Sequence, residues 1–197
     1  PEVERRPLIK WIWQKVEAFV VPKFNAVYTV SQSIAEIYSE QFNREVGLIR
    51  NMPTKSMLQP KPMSQRQKII LYQGALNEGR GLEALIKAME GIEAILWMAG
   101  KGDIESELKS LTRQLGLEKK VKFLGWVLPE QLHSITEQCM VGVNLLEARS
   151  KSYYYSLANK TYDYVQAGLP AIHMNFPEYR ALIEKSPLGC LIENLTP

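Results

Sequence analysis

Lys68-Ile-Ile-Leu-Tyr-Gln-Gly74-Ala-Leu-Asn-Glu-Gly-Arg80-Gly81-Leu82 is the stretch on which the fold turns. A continuous apolar run breaks at a glycine-rich turn and gives way to helical spacing. That is the pattern of a strand buried on both faces followed by a crossover helix. The unit recurs: apolar runs at 94–100, 121–127, 141–146 and 170–174 alternate with helical patterns at 82–89, 104–115, 129–138 and 157–167. Such alternation predicts an α/β fold, a Rossmann-like parallel sheet with helices on both faces. Ligands of such sheets bind beyond the carboxyl ends of the strands, so the residues just after each strand are the ones to examine.

Upstream, the pattern dissolves at 51–66, where Pro53, Ser56, Pro60, Pro62 and Ser64 stand among Lys and Gln, the composition of a linker. Before it, apolar residues recur at helical spacing over 8–20, a β-rich run covers 26–30, and Ser31 or Ser33 can cap a second helix. The expected organisation is a remnant of an N-terminal domain at 1–50, a linker at 51–66 and a Rossmann-like domain at 67–197, cut short at its C-terminus. The chain reads as a piece of a longer protein.

Bulk composition is that of a globular protein, with 46% hydrophobic and 23% charged residues, which excludes the disordered class. A net charge of +3 suits a phosphate-bearing ligand and falls far short of a nucleic-acid-binding signature. Cys139 and Cys190 are far apart, with no CxxC or paired-His spacing, which argues against a zinc site or a disulfide framework and for a reducing cytoplasm. The apolar stretch at 11–30 is interrupted by Gln14, Lys15, Glu17, Pro22, Lys23 and Asn25 and cannot span a bilayer as a helix.

In the turn after the first strand, Gly74 lets the backbone approach a ligand closely. The following helix start offers free amide donors, and Arg80 adds a planar cation suited to phosphate. Taken alone, the loop is equally a tight βα turn with a solvated Arg. It is not the dinucleotide fingerprint, since Leu76 stands where the second Gly of GxGxxG would be.

The most unusual stretch is Tyr153-Tyr-Tyr-Ser156-Leu157-Ala158-Asn159-Lys160-Thr-Tyr-Asp163-Tyr164. Ser156 is a candidate N-cap, so that the amides of 157–160 would face an anion above the sheet, with Lys160 in the first helical turn. Asp163, one turn on, can accept bonds from vicinal hydroxyls. The alternative is a surface Lys160–Asp163 pair with the tyrosines packed in a loop. The tyrosines are not interleaved with Lys or Arg, which speaks against a nucleic-acid platform. His133 reads as a surface residue, and His173 ends a strand on the ligand side.

In order along the chain, Lys68 to Gly74 with Arg80-Gly81, Leu96-Trp-Met-Ala-Gly100-Lys-Gly102, Val121-Lys-Phe-Leu-Gly125-Trp-Val127, and Tyr155-Ser-Leu-Ala-Asn-Lys160-Thr-Tyr-Asp163-Tyr164-Val-Gln-Ala-Gly168-Leu-Pro170 resemble bacterial retaining glycosyltransferases of family 4, of the GT-B type. The last resembles their variant S-L-P-N-K…(E/D)-Y…A-G-x-P signature, with Ala158 where Pro is usual. The resemblance implies that Arg80 contacts a pyrophosphate and that Asp163, matching the second of two acidic positions, binds the nucleotide ribose. The first acidic position falls on Tyr155. The family's basic residue after the first glycine is Ala75 here, and Lys160 is the candidate to supply that charge. The base would lie near Trp126 and Val127.

The activity so implied is sugar transfer from a UDP- or GDP-sugar donor to a glycan or lipid-linked acceptor, with retention, without a metal, in polysaccharide or glycoconjugate synthesis. Arg80 and Lys160 would stabilise the leaving diphosphate. This chain would supply the donor-binding half and be inactive alone, placed in the cytoplasm, either free or peripheral on the inner face of the membrane. The alternatives are a non-catalytic Rossmann-like interaction module and a GT-B sugar-nucleotide epimerase. Trp11, Trp13, Val16, Phe19 and Val20 with Arg5, Arg6, Lys10 and Lys15 suit either an interfacial helix or packing against the rest of the protein.

Overall fold

The computed structural model describes residues 6–55, 59–186 and 188–196. Arg5 and Ser56, named above, lie outside the described residues.

The domain after the linker is a six-stranded parallel sheet in the order β5-β4-β3-β6-β7-β8. Its strands are β3 (Ile69–Gln73), β4 (Ile95–Ala99), β5 (Val121–Gly125), β6 (Val141–Asn144), β7 (Ala171–Met174) and β8 (Gly189–Ile192). Between them run α3 (Leu82–Ala88), α4 (Glu105–Gln114), α5 (Pro129–Thr136), α6 (Lys151–Tyr154), α7 (Asn159–Gln166) and α8 (Pro177–Lys185). All five residues of β3 are buried, and alternation sends them to opposite faces. Ile70 and Tyr72 join Leu82, Leu85 and Ile86 of α3 and Leu108 of α4 in one core layer. Ile69 and Leu71 join Tyr164 and Ala167 in the other, against which Leu132 and Ile135 of α5 pack. The two apolar layers are why this strand reads as unbroken hydrophobic sequence.

The chain runs from β3 to β4 in one direction along the sheet and later places β6 on the other side of β3. The β3/β6 boundary is therefore the topological switch point, where the loops diverge and leave a crevice.

Before the linker come α1 (Pro7–Val20), β1 (Tyr28–Thr29), α2 (Gln32–Phe42) and β2 (Gly47–Leu48), with β1 and β2 paired in parallel. The helix-strand-helix order matches the sequence pattern; β2 was not apparent in it. No residue of α1 is buried, and Leu8, Trp11, Trp13 and Phe19 are exposed. No helix among the described residues is long and apolar enough to cross a membrane.

Ser31 occupies the N-cap position of α2 but accepts no capping bond. Glu178, buried on α8, does the work instead: its Oε1 accepts the Ser33 amide at 2.7 Å and the Ser33 hydroxyl at 2.8 Å. A carboxylate suits the positive end of a helix, so it displaces the weaker serine cap. Arg50 approaches Glu178 Oε2 at 3.9 Å and donates to the Tyr162 hydroxyl at 3.3 Å, fastening the first segment to the sheet domain.

The linker itself ends in a buried anchor. Arg66 donates to the carbonyls of Lys61, Cys139 and Ala167, the last at 2.7 Å, which pins the chain before it enters β3. A guanidinium carries five N–H donors in a planar fork, enough to serve three carbonyls at once.

Candidate functional site

A cleft of about 950 Å³ opens at the β3/β6 switch point. Of the residues singled out in the sequence, Gly74, Arg80, Trp126, Val127, Ala158, Asn159, Lys160 and Asp163 line it. They come from three separate segments, brought together by the parallel order of β3, β5 and β6. Trp126 and Val127 follow β5, Gly74 and Arg80 follow β3, and α7 begins beneath the cleft at Asn159.

Two glycine turns set the floor. Gly74 has φ +130° and Gly100 φ +150°, and the Gly74 amide donates to the Ala99 carbonyl at 2.9 Å. A Cβ at Gly100 would overlap the Gly74 carbonyl, and one at Gly74 would come within 3.3 Å of Lys160 Nζ. Backbone thus approaches backbone, and the Lys160 side chain reaches the floor, only because neither position carries a side chain.

Lys160 is 7% exposed and its Nζ makes no hydrogen bond; it sits 3.9 Å from the centroid of the Tyr72 ring. Burial, and then the Arg80 charge, hold its pKa well below that of an ordinary lysine. Arg80 has a buried Nε without a partner and lies 5.5 Å over the Tyr153 ring. Two cations of which neither has a carboxylate partner among the described residues, one of them buried, leave a site short of negative charge.

Asp163 completes the cleft on the same helix. Gln73 Nε2 donates to its Oδ2 at 2.7 Å. Burial raises the Asp163 pKa, and the Gln73 bond partly offsets this. The surface Lys160–Asp163 pair that the spacing allowed does not form, since Lys160 is buried and Asp163 turns to Gln73.

The start of α7 differs from the expected one. Ala158, not Ser156, holds the N-cap position, with no side-chain cap. The Ser156 amide and hydroxyl both donate to the Tyr153 carbonyl, at 3.3 and 2.8 Å, closing the short helix α6 that the tyrosine run forms. Leu157 packs into the core. Neither Ser156 nor Leu157 lines the cleft. The Ala158 amide is taken by the Tyr179 hydroxyl at 3.0 Å. The amides of Asn159 and Lys160, the first two of the helix, are those that α-helical geometry leaves to an anion. Ala158 has φ −71°, the value a proline would impose, so the substitution keeps the entry angle.

His133 corrects the surface reading: it lines the cleft wall on α5, with its Nε2 buried, unbonded and 4.0 Å from Glu137. His173 is 2% exposed and stacked on Tyr179 at 4.9 Å, away from the cleft lining. Burial and the nearby Lys160 push its pKa down to about 4, so it is neutral at physiological pH. Other lining residues were missed: Gln73 and Thr136, Lys101, Glu130, and the linker residues Asn51, Met52 and Pro53. Proline-rich composition gave the last three no signal beyond a connection, yet they form a wall. No group of three or more His, Cys, Asp or Glu among the described residues could hold a metal ion.

Residues 67–197 match the family described as glycosyl transferases group 1. A stretch of 81 residues, 39% of this chain, is 40% identical to the uncharacterized glycosyltransferase MJ1607 of Methanocaldococcus jannaschii and covers 21% of it. A stretch of 98 residues, 47% of this chain, is 26% identical to the lipopolysaccharide core biosynthesis glycosyltransferase LpsD of Rhizobium meliloti and covers 29% of it. Among solved structures, Anabaena HepE in complex with UDP and glucose superposes with a TM-score of 0.75 at 16% identity, over 92% of this chain and 53% of that one. A Staphylococcus aureus TarM variant in complex with fondaparinux, α-GlcNAc-glycerol and UDP gives 0.71 at 18% identity, over 91% and 36%. At such identities what is shared is the fold. The matched stretches span less than a third of the two curated relatives, and the chain about half or less of the two structures.

Proposed function

The chain belongs to the glycosyl transferases group 1 family, and on that premise we propose that it forms the donor-binding half of a retaining glycosyltransferase using a nucleoside-diphosphate sugar. The observation that carries this reading is the buried, unpartnered Lys160 ammonium beside Arg80 at the switch-point cleft. A diphosphate supplies the negative charge that site lacks, with the Asn159 and Lys160 amides as donors and Gly74 allowing close approach. Asp163 accepts the ribose hydroxyls, and the base lies against Trp126 and Val127.

In the reaction the bond from the anomeric carbon to the diphosphate breaks, negative charge grows on the leaving group, and the acceptor oxygen bonds to that carbon on the same face while its hydroxyl proton passes to the departing diphosphate. Arg80 and Lys160, fixed in place beforehand, stabilise that charge, and preorganised charge of this kind is usually the largest catalytic contribution. We assign this role to the two cations rather than to a divalent ion. The acceptor, a glycan or a lipid-linked sugar, is held by the remainder of the protein, which packs over the exposed apolar face of α1, with the chain divided at 51–66.

Isothermal titration of the 197-residue chain with UDP, GDP and their sugars tests the reading. Binding in the micromolar to low millimolar range, unaffected by EDTA, is expected. A folded chain that binds none of them at millimolar concentration contradicts it.

A further inference from the structure

Gln73 is an oddity of β3. It is 3% exposed, in a strand otherwise made of Ile, Leu and Tyr, where an amide costs more to bury than an apolar side chain unless all its groups are bonded. Both ends are bonded, and to different helices. Its Oε1 lies 3.3 Å from Thr136 Oγ1 on α5, a hydroxyl whose one proton is shared with the closer Leu132 carbonyl at 2.8 Å. Its Nε2 lies 2.7 Å from Asp163 Oδ2 on α7. Asp163 fixes which way the amide points: a carboxylate only accepts, so the NH₂ group faces it and Oε1 is left facing α5.

From this bridge we infer that Gln73 is a positioning residue for nucleotide recognition: by holding Asp163 through Oδ2, it presents the carboxylate to vicinal ribose hydroxyls and so sets the preference for a ribonucleotide over its dideoxy form. The inference rests on the reading of the cleft as a nucleoside-diphosphate site. A carboxylate without this donor can rotate, and a diol recognised by two oxygens at once needs them held still. Thr136 keeps its bond to Leu132 when the amide is removed, so the effect of changing Gln73 runs through Asp163.

The charged and titratable groups sharing the cleft with Asp163 are Lys160 on its own helix, Arg80 after β3, Lys101 after β4, and Glu130 and His133 on α5. Burial and the Gln73 bond are what shift Asp163 itself.

The test is calorimetric titration of the 197-residue chain, as wild type, Gln73→Leu, Asp163→Ala and the double variant, with UDP, GDP and the 2′,3′-dideoxy form of whichever binds. The wild type is expected to favour the ribonucleotide by roughly tenfold, the worth of a charge-assisted hydrogen bond. Gln73→Leu brings that ratio to within about threefold while leaving dideoxy affinity unchanged, and in the Asp163→Ala background it has no further effect. Should Gln73→Leu fail to fold, Gln73→Met reads the same ratio. A fall in both affinities together, or an undiminished ratio, overturns the inference and leaves the reading of the cleft standing. A wild type that binds neither nucleotide overturns both.

Discussion

Lys160 Nζ lies 3.9 Å from the centroid of the Tyr72 ring and has no hydrogen-bond partner among the described residues. An ammonium so placed gains part of what burial costs it, and no more. The consequence is a site in which stability and ligand affinity oppose one another. Lys160→Met, which keeps the volume and removes the charge, is expected to stabilise the empty chain by about 1 kcal/mol while weakening nucleotide binding tenfold or more. Thermal unfolding with and without UDP or GDP checks both signs.

The same residue gives a pH dependence. With its folded pKa below the unfolded value near 10.5, Lys160 binds fewer protons folded than unfolded across that interval. Its contribution therefore makes stability rise with pH through the window. The wild-type chain, measured against Lys160→Met, is expected to gain stability as pH rises toward 10.5. A difference that shrinks in the opposite direction would contradict the burial of the amine.

Asp163 titrates in the opposite sense for binding. Burial raises its pKa, and the carboxylate form is the one that accepts hydroxyls. Nucleotide affinity should therefore be full above that pKa and fall as pH drops through it, at a higher pH than an exposed aspartate would give. Asp163→Asn is expected to bind more weakly and to lose this acid limb, as titrations from pH 4 to 7 would show.

The backbone contact between the two glycine turns makes a stability prediction. Gly100→Ala places a methyl group on the Gly74 carbonyl at a φ of +150°, and a cost of about 3 kcal/mol or more is expected. Glu178→Ala should cost about 1–3 kcal/mol by stranding the Ser33 amide and Arg50, and hydrogen exchange at the start of α2 should rise with it.

How much of this was legible in the sequence follows from how local each signal is. The strands of the sheet showed as apolar runs because both faces are covered. Gly74, Arg80, Lys160 and Asp163 showed because each lies in a short motif whose function depends on neighbours in the chain. Gln73 stayed hidden: its partner Asp163 is 90 residues away and its strand reads as pure core. Ser156 misled for the converse reason, since a serine before a helical pattern looks like a cap whether its hydroxyl bonds forward to the helix or, as here, backward to Tyr153. The linker wall at Asn51, Met52 and Pro53 is a product of tertiary placement that composition does not encode.

The most direct test of the diphosphate assignment is NMR titration of the ¹⁵N-labelled chain with UDP and GDP, following individual backbone amides. The expected result is that saturation shifts the amides of Asn159, Lys160 and Gly74 most, and that Lys160→Met together with Arg80→Ala abolishes those shifts in a chain that remains folded. Shifts confined to residues outside the β3/β6 cleft, or unchanged binding by the double variant, would contradict it.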